Sequence, residues 1–254
     1  MTLSALVPVL GVVAAPFVGS FLGTVIVRLP AGRPLVLGRS VCPHCGRPLR
    51  PRDLVPLASW LVNRGRCRDC GAALGLFYPL VELAALAVAL SAVVAMEDAP
   101  PWLVLASLGL GWMLLASAWI DARHYLLPDA LVLPLIPAGL AVSWVVAPES
   151  LVDHLLGAAI GYGGLALIAT LYRRLRGREG LGAGDAKLMA AAGAWVAWQG
   201  LPSVLLVASL AGLLVAVARA ARGHRLAGES KLAFGPYLAF GLWLVWLVGP
   251  LGIG

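Results

Sequence analysis

All 19 Lys and Arg residues fall into a few short stretches between long apolar runs, and this segregation leaves few folds open to the chain. The runs lie at about 4–27, 78–96, 102–120, 126–147, 154–172, 186–201, 202–218 and 233–252. Each spans roughly 16 to 24 residues, near the ~20 that a helix needs to cross a bilayer core. Residues 186–201 form the weakest run, diluted by Gly193 and Gln199. With 61% hydrophobic and 12% charged residues among 254, a soluble domain could not bury the apolar surface. The expected class is an all-α polytopic membrane protein of about eight transmembrane helices. The amino terminus carries no basic region before its apolar run, which argues for a first spanning helix and against a cleaved signal peptide.

Threading eight spans leaves four loops on one side: 28–77, 121–125, 173–185 and 219–232. With the first residues of the following span, which include Lys187, they hold every basic residue. Glu97, Asp98, Glu149 and Asp153 fall on the opposite side, with no base among them. The positive-inside rule then predicts that the basic loops face the cytoplasm. The net charge of +7 is a topology signal. The bases flank spans without interleaved aromatics, so no nucleic-acid partner is expected.

The expected organisation is a first transmembrane helix (1–27), a cytoplasmic loop (28–77) and a seven-helix bundle (78–254). The loop contains all four cysteines, as Cys42-Pro-His-Cys45 and Cys67-Arg-Asp-Cys70. Two C-x2-C turns about 20 residues apart match a tetrathiolate zinc site, because each turn presents two thiolates and two turns complete a tetrahedron. Bound metal would supply the folding free energy that a Pro-, Gly- and Arg-rich segment lacks. The alternatives are two disulfides, which a reducing compartment disfavours, or free thiols. His44, between two ligands, could replace one cysteine. The surrounding arginines could rest on anionic membrane lipids.

Asp121 ends the third run and Asp185 begins the sixth, so the topology brings both to one membrane face. Ionisable groups at the edge of hydrocarbon are functional candidates. Two close carboxylates hold one proton between them, the basis of aspartic acid–base catalysis. The charged member takes a proton from attacking water, and its partner donates to the carbonyl oxygen. Gly180, Gly182 and Gly184 precede Asp185 and permit close backbone approach. As bland alternatives, Asp185 is an ordinary N-cap and Asp129, after Pro128, is another. Asp129 is also a candidate third carboxylate, Glu82 a partner for a basic loop residue or for the site, and Lys187 a counter-charge or a snorkelling side chain. Ser150-Leu-Val-Asp153 has the spacing of a capping box, and Pro134 and Pro137 predict a kink in the fourth span.

Taken together, these residues resemble the type IV prepilin peptidases, membrane aspartic proteases of the GxGD kind. The resemblance runs through Gly19-Ser-Phe-Leu22 with Val27-Arg-Leu-Pro30, the two cysteine pairs, Tyr78-Pro-Leu-Val-Glu82, Asp121 with Leu127-Pro-Asp129, Gly182-Ala-Gly-Asp185-Ala-Lys187, and Phe234-Gly-Pro236. Gly23 stands where the family usually has Asn, and Phe77 where Arg is common. The resemblance implies cleavage of prepilin or pseudopilin precursors at the cytoplasmic face of a bacterial inner membrane, after a glycine that ends a basic leader. It implies Asp121 and Asp185 as the catalytic pair. It also implies N-methylation of the new amino terminus from S-adenosylmethionine, since the tetracysteine loop is typical of members with both activities. The rival readings are a peptidase without methylation and a zinc-bearing scaffold or transporter subunit whose aspartates carry protons. Basic enzyme loops would repel a basic leader unless Glu82, Asp129, Glu179 or Glu229 line its path.

Overall fold

The computed structural model describes residues 3–35, 38–177, 182–222 and 233–251. Glu179, Gly180 and Glu229 lie outside the described residues. The helices are α1 (Leu3–Arg28), α2 (Ala58–Val62), α3 (Phe77–Ala95), α4 (Pro101–His124), α5 (Asp129–Val132), α6 (Leu135–Val146), α7 (Leu151–Arg176), α8 (Ala183–Ala221) and α9 (Gly235–Val248). Among the described residues there is no strand, only two isolated bridges, Val41 with Pro48 and Arg66 with Ala73. By length and composition six segments are apolar enough to cross a membrane, and α9 is a shorter apolar helix. The all-α membrane architecture is as the sequence predicts.

The chain forms two compact units, Met1–Trp112 and Met113–Gly254. In the first, α1 lies against α3 through small residues. Membrane helices cannot gain from expelling water, so they associate where small side chains let backbones approach. A methyl group on Gly19 would sit 2.6 Å from the Glu82 Cα, and one on Gly23 would sit 2.8 Å from the Tyr78 ring. The facing stripe of α3 is Val81, Ala85, Ala89 and Ala92, all fully buried. The Trp112 indole donates to the Ala85 carbonyl at 3.1 Å, giving a buried polar group its partner.

In the second unit the fourth apolar run breaks where its prolines predict: α5 stops at Val132 and α6 starts after Pro134. The sixth and seventh runs form one 39-residue helix, α8, but Ala197 within it has φ 56° and ψ −179°. The chain doubles back there. Before Ala197, α8 runs antiparallel to α7: Gly161 lies on Met189, Gly157 on Gly193, and Asp153 accepts from the Trp198 indole at 3.1 Å. After it, α8 runs antiparallel to α9, with Gly241 on Val204, Gly212 near Tyr237, and Leu251 N–H donating to Ser203 Oγ at 3.0 Å. The Trp195 indole locks the first leg to the α6 amino terminus, donating to the Leu135 carbonyl at 2.8 Å.

Two local expectations are corrected. Asp153 closes no capping box, because Ser150 makes no side-chain cap and its hydroxyl turns back to the Ala147 carbonyl. Asp185 is not an N-cap: Gly182 holds that position and Asp185 stands three residues into the helix.

Candidate active site

Asp121 lies in the last turn of α4, and its carboxyl is buried, with the residue only 6% exposed. The α4 helix ends at His124 because Tyr125 turns left-handed, φ 53°, while its N–H still bonds the Asp121 carbonyl at 2.9 Å. The turn leads the chain back so that Leu127 is buried. Asp121 Oδ2 accepts the Gly235 N–H at 3.0 Å, from the first residue of α9. A carboxylate taking a free amide of a helix amino terminus satisfies a donor that the helix itself cannot.

Asp185, 7% exposed, reaches back so that its Oδ2 accepts the Gly182 N–H at 3.1 Å. This is the acidic half of a capping box, and glycine at the N-cap supplies no reciprocal oxygen. The two aspartates are close enough to interact electrostatically.

Leu127 explains their convergence. A methyl on Gly184 would lie 2.8 Å from Leu127 Cβ, and one on Gly235 would lie 3.1 Å from Leu127 Cδ1 and 2.6 Å from Asp121 Oδ2. The side chain is thus wedged between the starts of α8 and α9, and both need glycine at the contact. Gly184 therefore has a steric role beyond backbone freedom, and Gly182 acts as the amide donor to Asp185. Lys187 Nζ donates to Asp129 Oδ1 at 2.6 Å, an exposed pair at the rim. Asp129 follows the Pro128 N-cap of α5, so it is not the cap. Gly235 stands inside the Phe234-Gly-Pro236 motif, and its contact with Asp121, 114 positions away, is not legible from spacing.

Glu82 belongs to the other unit and is 5% exposed. It pairs with no base among the described residues: Oε2 accepts the Leu57 N–H at 2.8 Å, and the Ser20 hydroxyl also bonds the carboxylate. Leu57 is held left-handed, φ 57°, as it turns into α2.

The tetracysteine loop folds as two copies of one turn. Cys42 N–H bonds the Arg47 carbonyl at 2.9 Å and Gly46 N–H bonds the Cys42 carbonyl at 2.9 Å. Cys67 N–H bonds the Ala72 carbonyl at 2.8 Å and Gly71 N–H bonds the Cys67 carbonyl at 2.9 Å. Gly46 and Gly71 follow the second cysteine of each turn with φ 68° and 70°, a conformation that only glycine adopts cheaply. All four Sγ atoms lie within 4.8 Å of one another, with Cys42 and Cys70 3.9 Å apart. Sulfurs about 2.3 Å from one tetrahedral zinc would be about 3.8 Å apart, so the set fits the metal.

None of the four cysteines is in a disulfide, and His44 is not among the clustered donors. The backbone N–H groups of Cys45 and His44 favour the Cys42 thiolate and bring its pKa down to about 6. The Ala72 amide favours the Cys70 thiolate too. Burial and the other three sulfurs outweigh it and push that pKa up to about 11. Four sulfurs that resist ionising together are a set that a divalent cation would relieve.

A cavity of about 480 Å³ lies in the same unit, bordered by the end of α1, the cysteine turns and the start of α3.

Two family models match the chain: the bacterial peptidase A24 N-terminal domain over residues 12–96, and the type IV leader peptidase family over residues 108–217. A prepilin leader peptidase/N-methyltransferase of Aeromonas hydrophila is 42% identical over 258 residues, covering 91% of this chain and 87% of that protein. A protein of the same name from Pseudomonas aeruginosa is 41% identical, again over 91% and 87% of the two chains. One from Burkholderia pseudomallei strain 1026b is 46% identical over 84% of this chain and 68% of its own. No solved structure matches. With such identity over most of both lengths, and a family model lying across both aspartates, the chain belongs to the type IV leader peptidase family.

Proposed function

We propose that the chain cleaves the basic leader of type IV prepilin or pseudopilin precursors at the cytoplasmic face of a bacterial inner membrane, and then N-methylates the exposed amino terminus. The observation that carries this reading is the pairing of family membership with two buried carboxylates that converge on Leu127. Asp121 and Asp185 are the catalytic pair. One carboxylate takes a proton from water as the water oxygen attacks the scissile carbonyl. The other gives its proton to the carbonyl oxygen, and a proton then reaches the leaving amine as the C–N bond breaks. Held by one backbone amide each, the two groups have little freedom to drift from that geometry.

Gly182 and Gly184 position Asp185, and the Lys187–Asp129 pair sets the local charge beside it. A precursor's apolar helix would lie in the bilayer beside the bundle (residues 78–254), its leader extending into the cytoplasm. The first helix (1–27) anchors the cytoplasmic loop (28–77), whose arginines suit anionic lipid headgroups. Cys42, Cys45, Cys67 and Cys70 would hold a structural zinc, which ties the two turns together and takes no part in hydrolysis. S-adenosylmethionine is the co-substrate of the second reaction: the new amine bonds the methyl carbon, the S–C bond breaks, and the amine proton passes to solvent.

Incubation of the purified chain with a prepilin, with and without S-adenosylmethionine, tests both reactions by mass spectrometry. The reading expects loss of the leader in both arms and a further 14 Da only with the methyl donor. An intact precursor in both arms would refute the peptidase.

A further inference from the structure

One stretch of the loop between α1 and α3 is out of keeping with its surroundings. Residues 54–62, Leu-Val-Pro-Leu-Ala-Ser-Trp-Leu-Val, carry no charge, although Arg50, Arg52, Arg64 and Arg66 stand on either side. The stretch ends in α2, yet it hides few of its apolar side chains: Leu54, Val55, Leu61 and Val62 are 44%, 42%, 65% and 75% exposed. A lone exposed leucine is ordinary on any surface, whereas four large apolar side chains within nine positions make a patch suited to something other than water.

Hydrogen bonds fix the height of this stretch along α3. The Leu57 N–H, at the α2 N-cap, donates to Glu82 Oε2 at 2.8 Å. Glu82 lies about 7.5 Å along the helix axis from Phe77, the first residue of α3, at 1.5 Å per residue. The Trp60 indole reaches the other way and donates to the Gly75 carbonyl, just before α3, at 2.9 Å. Now α3 has 19 residues and is apolar enough to cross a membrane. Its length of about 28 Å is barely that of a bilayer core, so its first two turns must lie within the membrane. A segment bonded to Glu82 lies there too. Its depth matches the ~5–10 Å to which interfacial apolar segments sink, with the Trp60 N–H at the polar boundary that tryptophan favours.

Between α2 and α3 runs a cleft of about 250 Å³ with only apolar side chains in its walls, among them Leu57, Trp60 and Leu61 on one side and Leu76, Leu80 and Leu83 on the other. Leu61, Leu76, Leu80 and Leu83 are exposed as well, so the cleft is continuous with the patch and with the outer face of α3. The ends of the stretch have the opposite character. Arg52 and Arg64 are exposed, and Asp53, the only acid between residues 50 and 66, is taken up by Arg68 at 3.0 Å. Cationic ends around an apolar middle complement a molecule with an anionic head and an alkyl tail.

We propose that residues 54–62 are embedded in the bilayer beside the first two turns of α3, and that the α2–α3 cleft seats an acyl chain of an anionic phospholipid, with anionic headgroups at Arg52 and Arg64. The loop then meets the membrane through apolar side chains and not through its arginines alone. The second cysteine turn is tied to this anchor, because the Gly65 N–H bonds the Trp60 carbonyl and the Leu74 N–H bonds the Gly65 carbonyl, each at 2.8 Å. The bilayer thereby sets the height of that turn.

The test is photolabelling of the unmodified full chain in phosphatidylcholine nanodiscs. These are doped with either phosphatidylglycerol or phosphatidylcholine that carries a diazirine within one acyl chain, and the labelled peptides are read by mass spectrometry. Label is expected on residues 54–62 at a yield comparable to that on the outer face of α3. Phosphatidylglycerol should label the stretch about fivefold more than phosphatidylcholine, the scale of one arginine at an anionic surface. Arg52→Gln combined with Arg64→Gln should bring the two probes to parity there and leave the label on α3 unchanged. A stretch without label beside a labelled α3, whether water or a second copy of the chain covers it, would overturn the embedding. Equal labelling by the two probes in the unmodified chain would overturn the anionic lipid seat.

Discussion

At Asp121 the nearest constraint is a glycine 114 positions further along the chain. The carboxylates themselves were legible in the sequence, because an aspartate at the edge of an apolar run has few ordinary reasons to be there. Leu127 and Gly235 were not legible, since their importance is a steric fit between segments distant in sequence. That fit makes a prediction. Gly235→Ala places a methyl 2.6 Å from Asp121 Oδ2 and 3.1 Å from Leu127 Cδ1, so the carboxyl and the leucine must both move. Displacement of a reacting group by about 1 Å can lower a rate by about a hundredfold, and prepilin cleavage should fall by that order with helix content unchanged. Cleavage within twofold of wild type would show that the contact does not govern the site. Glu82 gave the opposite lesson: the sequence marked it as unusual, but its partners, Leu57 and Ser20, come from a turn and a helix that spacing alone does not bring together.

Among the elements, α8 departs furthest from its appearance in sequence. Two apolar runs without a polar loop between them read as a weak pair of spans, whereas the chain reverses at a single alanine. Neither Gly nor Asn marks the turn, and Pro202 follows it by five residues, so the local code is nearly silent. A backbone at φ 56°, ψ −179° is almost exclusive to glycine and costs alanine of order 1–3 kcal/mol. Ala197→Gly should therefore stabilise the protein by about 1 kcal/mol in thermal melts, after allowance for the greater freedom of the unfolded chain. A lower melting temperature would mean that the turn carries no strain.

The α7–α8 crossing is less forgiving. Gly193→Val would drive its Cβ to 2.0 Å from the Gly157 backbone, so the helices must separate. A loss of about 3 kcal/mol is expected, and a wild-type melt would argue against this contact. The cysteine loop was the most legible element, because C-x2-C spacing states its own geometry. Stripping the metal with a strong chelator should open residues 38–75 to proteolysis while the membrane helices stay protected. An apo loop as resistant as the holo form would remove the structural role of zinc.

For the molecule as a whole, the two compact units and the two family matches divide the chain at nearly the same place, near residues 97 to 113. The cysteine turns and the cavity fall in the first unit, and the aspartates fall in the second. Hydropathy and charge gave the class of protein and the order of its apolar segments, because solvation acts on every residue along the chain. The division into units was not visible, since it runs through the middle of α4, an apolar helix with no change of composition.

The most direct measurement is leader cleavage by Asp121→Asn and Asp185→Asn, each purified in amounts equal to wild type and supplied with the same prepilin. Each variant keeps an oxygen for its backbone amide partner and loses only the titratable proton. The account predicts no detectable cleavage by either, with melting temperature and zinc content unchanged. Leader removal by either variant at a rate within tenfold of wild type would contradict it.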